Sequence, residues 1–319
     1  MLRSWLKQKR TIELTFNGLN DGKKGFDVDV LDGQTWHSIP DGFMEGAEEA
    51  IECLIVTVKA PMTALALDSV RHRLTPESTV LFLQNGMGVI EEINEKLFPD
   101  PQTRPNYMQG LISHGLSGRQ KPFQVAHAGV GTTILGPSEN KSVWAPSTKY
   151  LLRIMTLTPS LVAVAETPSS LMLYQLEKLA MNSVINPMTA VIGCKNGELL
   201  YNYSFTRLMR LLLLEISSVI CALPEVQGIP GIESRFSPER LRWMVTQLAS
   251  KTAENRSSML QDVTLGKSTE IEYLNGYIVR RGEDLGFKCV VNYMIKHLVI
   301  GKQLTTKSKD ASTIPIDIE

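Results

Sequence analysis

The chain is predicted to fold as an α/β half followed by an all-helical half. Three observations predict it. Short apolar runs rich in β-branched residues alternate with helically spaced segments up to about residue 166. Strand-like runs stop near Ser169, and from there to Leu304 apolar residues recur at three- and four-residue spacings.

Residues 11–30 alternate apolar and polar side chains around Asn17-Gly18 and Asp21-Gly22, which reads as strand, turn and strand. Residues 51–58 (IECLIVTV) are a nearly continuous apolar run that suits a strand buried on both faces. A helix is expected over 62–74, a buried strand over 79–83 and a helix over 88–97. That rhythm indicates a parallel sheet. Further strands are expected over 107–114, 125–135 and 161–165, with an amphipathic helix over 149–157. Helices are then expected over 171–191, 204–223, 238–259, 269–285 and 291–304. The expected domains are 1–168 and 169–304, with a loose polar tail over 305–319.

Lys plus Arg and Asp plus Glu number 33 each, so no net charge draws the 319-residue chain toward nucleic acid or an anionic membrane. Cys53, Cys194, Cys221 and Cys289 are far apart, with no CxxC, and the five histidines show no metal-ligand spacing; reduced thiols and no metal site are expected. His114 and His127 receive no role. The most apolar run, 208–224, is interrupted by Arg210 and Glu215 and does not qualify as a membrane span. The expected compartment is the cytoplasm. The basic, acid-free MLRSWLKQKR keeps a mitochondrial location as the alternative, against the plainer reading of a solvated helix end.

Residues 175–200 carry the chemistry. Lys178, Asn182 and Asn186 follow one another at four-residue steps on an otherwise apolar helix, which stacks all three on one face. An ammonium and two carboxamides are costly there unless they line a cleft or meet partners. A solvated stripe on a surface helix is the plainer alternative.

An α/β half before a helical half suggests dinucleotide binding, yet G-x-G-x-x-G after a first strand is absent. The nearest imitation, Asn85-Gly86-Met87-Gly88, lacks the third glycine and the acidic ribose reader. Four blocks settle the resemblance: LFLQNGMGVIEE (81–92), HAGVGTTILGP (127–137), EKLAMNSVINPMTAVIGCKNGELL (177–200) and SSMLQDVTLGKSTEIEYLNG (257–276). From about residue 10 to about residue 300 the chain resembles ketopantoate reductase (2-dehydropantoate 2-reductase), fungal type. Members of that family begin with strand, GxGxxG turn, helix and second strand, so the resemblance implies a Rossmann-like N-terminal sheet lacking its first strands. Such a sheet would be left with unpaired edges.

The resemblance implies NADPH-dependent reduction of the 2-keto group of ketopantoate to pantoate, on the route to pantothenate and coenzyme A. Without the phosphate turn, NADP binding would be weakened or lost, and a non-catalytic binding or regulatory descendant is the alternative function. By resemblance, Lys178 is the general acid and Glu270 the catalytic-site carboxylate that binds the substrate hydroxyl. Asn182, Asn186 and Asn196 are substrate hydrogen-bonders, and Ser258 holds the substrate carboxylate. Lys59 and Asn85 contact the cofactor. Plainer alternatives stay open: a kink at Asn186-Pro187, a turn at Asn196-Gly197, a helix cap at Ser258 and a strand-end lysine at Lys59. The implied partner is a small 2-keto acid, with no nucleic acid or membrane, and a homodimer is one assembly the reading allows.

Overall fold

The computed structural model describes residues 2–32, 35–39, 44–45, 49–118 and 121–310. The chain divides into one unit of Met1–Thr57, Leu65–Leu83 and Lys96–Leu171, and a second of Val58–Ala64, Gln84–Glu95 and Met172–Glu319. The two short segments that join the second unit lie directly after strands, which a contiguous boundary near residue 168 does not anticipate.

In the first unit, α1 (Leu2–Lys7) precedes a hairpin of β1 (Ile12–Phe16) and β2 (Leu19–Lys23). Asn17 and Gly18 close it with positive φ at both central positions, the backbone that a tight hairpin demands. Next come β3 (Val28–Asp32), β4 (Thr35–Ile39) and β5 (Met44–Glu45), which form a three-stranded sheet of their own. After β6 (Cys53–Val56), the expected helix over 62–74 is broken into a 3-10 turn, α2 (Thr63–Asp68) and a second 3-10 turn at Arg71–Arg73. Then follow β7 (Thr79–Phe82), α3 (Val89–Lys96), which up to Glu95 belongs to the second unit, β8 (Asn106–Ile112) and β9 (Gly115–Gly118).

The single strand expected over 125–135 is two, β10 (Gln124–Gly129) and β11 (Thr133–Pro137), and they lie in different sheets. Gly131 occupies the break, where a Cβ would come 2.3 Å from the Ser113 carbonyl carbon, so only glycine lets the chain pass. After α4 (Pro146–Leu157) and β12 (Ala163–Ala165), the main sheet reads β12-β11-β8-β7-β6. Pairs β6–β7 and β7–β8 are parallel and β8–β11 is antiparallel, so the sheet is mixed where a parallel one was expected. Its center is buried around Leu81, Met108 and Leu135, with Leu151 and Met155 of α4 packed there. By contrast β6 forms the edge, and Ile55 is 43% exposed. The expectation of burial on both faces fails: among the described residues β6 has a paired neighbor on one side only, and its outward residues lack cover.

The helical unit is built on α5 (Pro168–Ile192), α6 (Tyr203–Ala222), α7 (Ile232–Arg235), α8 (Pro238–Lys251), α9 (Ser258–Thr264), α10 (Asn275–Asp284) and α11 (Val290–Asp310). The helix expected over 238–259 is two, because the chain turns after Lys251 and restarts under a Ser257 cap. The last helix continues to Asp310, into the stretch expected to be loose; residues 311–319 lie outside the described residues. Leu176, Leu179, Ala180, Val184, Ile185 and Met188 of α5 are buried against Leu212, Leu213 and Ile216 of α6 and the helices that follow. No helix among the described residues is long and apolar enough to cross a membrane.

Pro187 lies inside α5, which runs through it without a break. Proline has no N–H, so the carbonyl four residues earlier, that of Ser183, loses its helical partner. Asn275 supplies the replacement: its Nδ2 donates to the Ser183 carbonyl at 2.8 Å and also to Asn292 Oδ1 at 2.9 Å. Asn292 Nδ2 in turn donates to Glu215 Oε2 at 2.8 Å, and Glu215 also accepts the Val291 and Asn292 backbone N–H groups at the start of α11. Both asparagines are fully buried.

Replacing Asn275 with alanine should lower stability by about 2 kcal/mol, the cost of stranding buried polar groups. In a Pro187→Ala background, where the helix regains its own donor, the same change should cost measurably less. Urea unfolding of the four proteins would read the coupling.

Candidate active site

Glu270 immediately precedes the 3-10 turn Ile271–Tyr273 that leads into α10, and its side chain turns away from that turn's own N–H groups. It is only 8% exposed. Its carboxylate accepts the Ala60 backbone N–H at 3.4 Å and Asn85 Nδ2 at 3.3 Å. Lys59, next to Ala60, forms an ion pair with the buried Asp262 of α9. Two strand-end residues, Lys59 and Asn85, thus meet two acids of the helical half, all within one unit.

These contacts set the electrostatics. Burial pushes the Glu270 carboxyl up; the Asn85 and Ala60 hydrogen bonds and the Lys59 charge pull it back in part. Lys178, on α5, goes the other way. Burial lowers its pKa to about 8, and the Glu270 charge restores only part of the loss.

Asn182 and Asn186 continue the Lys178 face, about 6 and 12 Å farther along the helix at about 1.5 Å per residue. Neither carboxamide makes a hydrogen bond to another described residue, although both are partly buried. One turn later, the Thr189 hydroxyl lies 2.7 Å from Ser257 Oγ, which caps α9 by accepting the Leu260 N–H. The cap is therefore Ser257, and Ser258 stands exposed as the first residue of α9. Asn196 is elsewhere: it is buried, with Nδ2 donating to Thr252 Oγ1 at 2.9 Å, and it fastens the turn after α5 to the end of α8. Its Oδ1 has no hydrogen-bond partner among the described residues.

The Asn85-Gly86-Met87-Gly88 turn has a definite use of its own. Gly86 and Gly88 hold φ of +91° and +93°. A Cβ on Gly86 would sit 2.5 Å from Tyr273 Cβ, and Met87 N–H donates to the Tyr273 carbonyl at 2.9 Å. The glycines let the turn lie flat against residues 273–277. Sequence reasoning missed Asp262, Ser257 and Tyr273, because an acid, a serine and a tyrosine have no helical spacing that flags them; only Asp262, four residues after Ser258 on α9, had a positional hint. Among the described residues, no group of three His, Cys, Asp or Glu could hold a metal ion.

The chain matches the family model described as ketopantoate reductase PanE/ApbA over residues 10–140 and that of its C-terminal part over residues 170–303. It is 34% identical over 252 residues to the probable 2-dehydropantoate 2-reductase of Schizosaccharomyces pombe, which covers 76% of this chain and 72% of that protein. The chain belongs to the ketopantoate reductase family. This is a family of oxidoreductases. Ketoisovalerate reductase BEA2 of Gibberella fujikuroi is 29% identical over 291 residues, 79% of this chain and 60% of that protein. In fold, the chain is similar to a PanE/ApbA family ketopantoate reductase from Ralstonia eutropha (TM-score 0.70, 20% identity, 96% of this chain and 90% of that one). It is also similar to D-mandelate dehydrogenase with NADH and anilino(oxo)acetate (TM-score 0.68, 21% identity, the same coverage).

Gly86→Ala should cost about 2 kcal/mol or more, since a left-handed backbone and a Cβ clash coincide there. Thermal unfolding measures it; an unchanged melting temperature would mean the turn is not seated on Tyr273.

Proposed function

We propose that this ketopantoate reductase family member reduces the 2-keto group of ketopantoate, or a close branched 2-keto acid, with NADPH. The observation that carries the reading is the pair of opposed ionizable groups: a lysine with a pKa near 8 under the influence of a buried carboxyl, at the head of a stripe of carboxamides. The relatives named for ketopantoate and ketoisovalerate reduction support the substrate class. No observation favors the non-catalytic alternative.

In this reading Lys178 is the general acid. Its ammonium gives a proton to the carbonyl oxygen as C2 is reduced, and before that its charge stabilizes the developing oxyanion. Burial makes it a readier donor than a solvated lysine. Glu270 accepts the substrate hydroxyl proton in a hydrogen bond and keeps Lys178 charged. Asn182 and Asn186, with carboxamides uncommitted to protein, bind the substrate's polar groups, and Ser258 offers its exposed hydroxyl to the carboxylate. Asn196, buried and tied to Thr252, is left out of this substrate set.

The nicotinamide cofactor would supply the hydride. The donor set fits it: Lys59 keeps 40% of its side chain exposed beside its ion pair, and Asn85 Oδ1 is not engaged in a hydrogen bond among the described residues. Lys59 would hold a phosphate oxygen and Asn85 a ribose or amide group. A homodimer belongs to the same proposal, supported by the dimeric ketopantoate reductase of Staphylococcus aureus, similar in fold (TM-score 0.64, 18% identity, 93% of this chain and 88% of that one).

The test is NADPH oxidation by the purified chain with ketopantoate and ketoisovalerate, alongside fluorescence titration of NADPH. Absence of both binding and oxidation would sink the reading. Lys178→Ala should reduce kcat by about 10²–10⁴-fold, the usual share of general acid catalysis, while NADPH binding stays largely intact. Glu270→Ala should mainly raise KM for the keto acid. The parent's kcat/KM should fall as pH rises through about 8, where Lys178 gives up its proton.

Stability should run opposite to activity. The unfolded lysine holds its proton more tightly than the folded one, so the penalty is full below pH about 8 and fades as pH climbs to the ordinary lysine range. Lys178→Met should therefore melt higher than the parent at pH 7 and lose that advantage at alkaline pH.

A further inference from the structure

Glu270 and Tyr273 are the two ends of one turn: the Tyr273 N–H donates to the Glu270 carbonyl at 3.0 Å. From there Tyr273 holds three separate things. Its hydroxyl donates to Glu92 Oε2 on α3 at 2.6 Å. Its carbonyl accepts the Met87 N–H at 2.9 Å, and its Cβ fills the space that Gly86 leaves open. All three contacts fall on the segment 86–92, which begins one residue after Asn85, and the Asn85 carboxamide reaches back to Glu270 at 3.3 Å.

We propose that Tyr273 is a positioning residue of the reductase site, a latch that fixes the 85–88 turn so that Asn85 stays hydrogen-bonded to Glu270. The proposal rests on the reductase reading for its effect on turnover. Geometry makes the loop closed: Glu270, Tyr273, Glu92 and the turn before it, Asn85 and Glu270 again. Without the phenol, the turn keeps one backbone bond to the Glu270 segment and loses its anchor on α3. The phenol is a reliable donor, because burial and the Glu92 charge both push its pKa up. The charged groups acting here are Lys59, Asp262 and Lys178 around Glu270, and Glu92, Glu272 and Arg280 around Tyr273. A cavity of about 870 Å³ opens beside Tyr273 and Glu92, so Tyr273→Phe leaves Glu92 next to space that water can fill, and the variant is expected to fold.

The test is a carbon-13 NMR titration of the Glu270 carboxyl in the parent, Tyr273→Phe, Glu92→Gln and Asn85→Ala. The Asn85 hydrogen bond holds that carboxyl down, so Asn85→Ala should move the titration to higher pH and Tyr273→Phe should move it the same way. Glu92→Gln keeps an oxygen that accepts the phenol proton and should titrate like the parent. In parallel, Tyr273→Phe should lower kcat/KM by about tenfold, the equivalent of one hydrogen bond, with Glu92→Gln near the parent value. A Tyr273→Phe protein whose Glu270 titrates as in the parent overturns the proposal, and so does an Asn85→Ala protein in which nothing moves. The titration requires no turnover. An inactive parent with an intact Tyr273→Phe shift would therefore count against the proposed function and leave the latch standing.

Discussion

The helical unit depends on a gap in one helix. Pro187 removes the donor for the Ser183 carbonyl in the middle of α5, and a buried carbonyl without a partner is a serious liability. Asn275 fills it, and in doing so ties α5 to the start of α10, two residues beyond the turn that opens with Glu270. The bond passes on through Asn292 to Glu215, which receives the first N–H groups of α11. One missing backbone hydrogen thus recruits three helices. It does so between Asn182 and Asn186, where the proposed substrate stripe needs α5 to hold still.

The same economy operates at the strand ends. Lys59-Ala60 and Asn85-Gly86 each follow a strand of the main sheet, yet they pack with the helical unit. Lys59 goes to Asp262, the Ala60 amide and the Asn85 carboxamide go to Glu270. Burial raises the pKa of this acid, and one backbone donor, one amide and a nearby cation pull it back in part.

Much of this was legible in the sequence because it is periodic. Lys178, Asn182 and Asn186 announce a shared face through spacing alone, and the Asn17-Gly18 turn announces its hairpin. Helices α5 and α6 were located to within three residues at each end, whereas the expected helix over 269–285 starts only at Asn275 and the last one overruns its expected end. What failed was what depends on neighbors. The apolar run 51–58 looked like a strand buried on both sides, but burial is decided by strand order, and β6 is an edge. Residues 125–135 looked like one strand, because nothing in their alternation reveals that Gly131 must slip past the Ser113 backbone. Asn196 shared a motif with the stripe yet is committed to Thr252. Asn275 could not be paired with Pro187 from sequence, since the two are far apart in the chain and meet only after folding.

The displaced pKa of Lys178 has a chemical consequence apart from any turnover. An amine that is half deprotonated near pH 8 carries an available lone pair under conditions where a solvated lysine remains almost wholly ammonium. Among the lysines, burial thus makes this one the readier nucleophile, but only toward an electrophile small enough to reach it. The same dryness that loosens the proton also restricts the approach of the reagent, so reactivity and access pull against each other at this position.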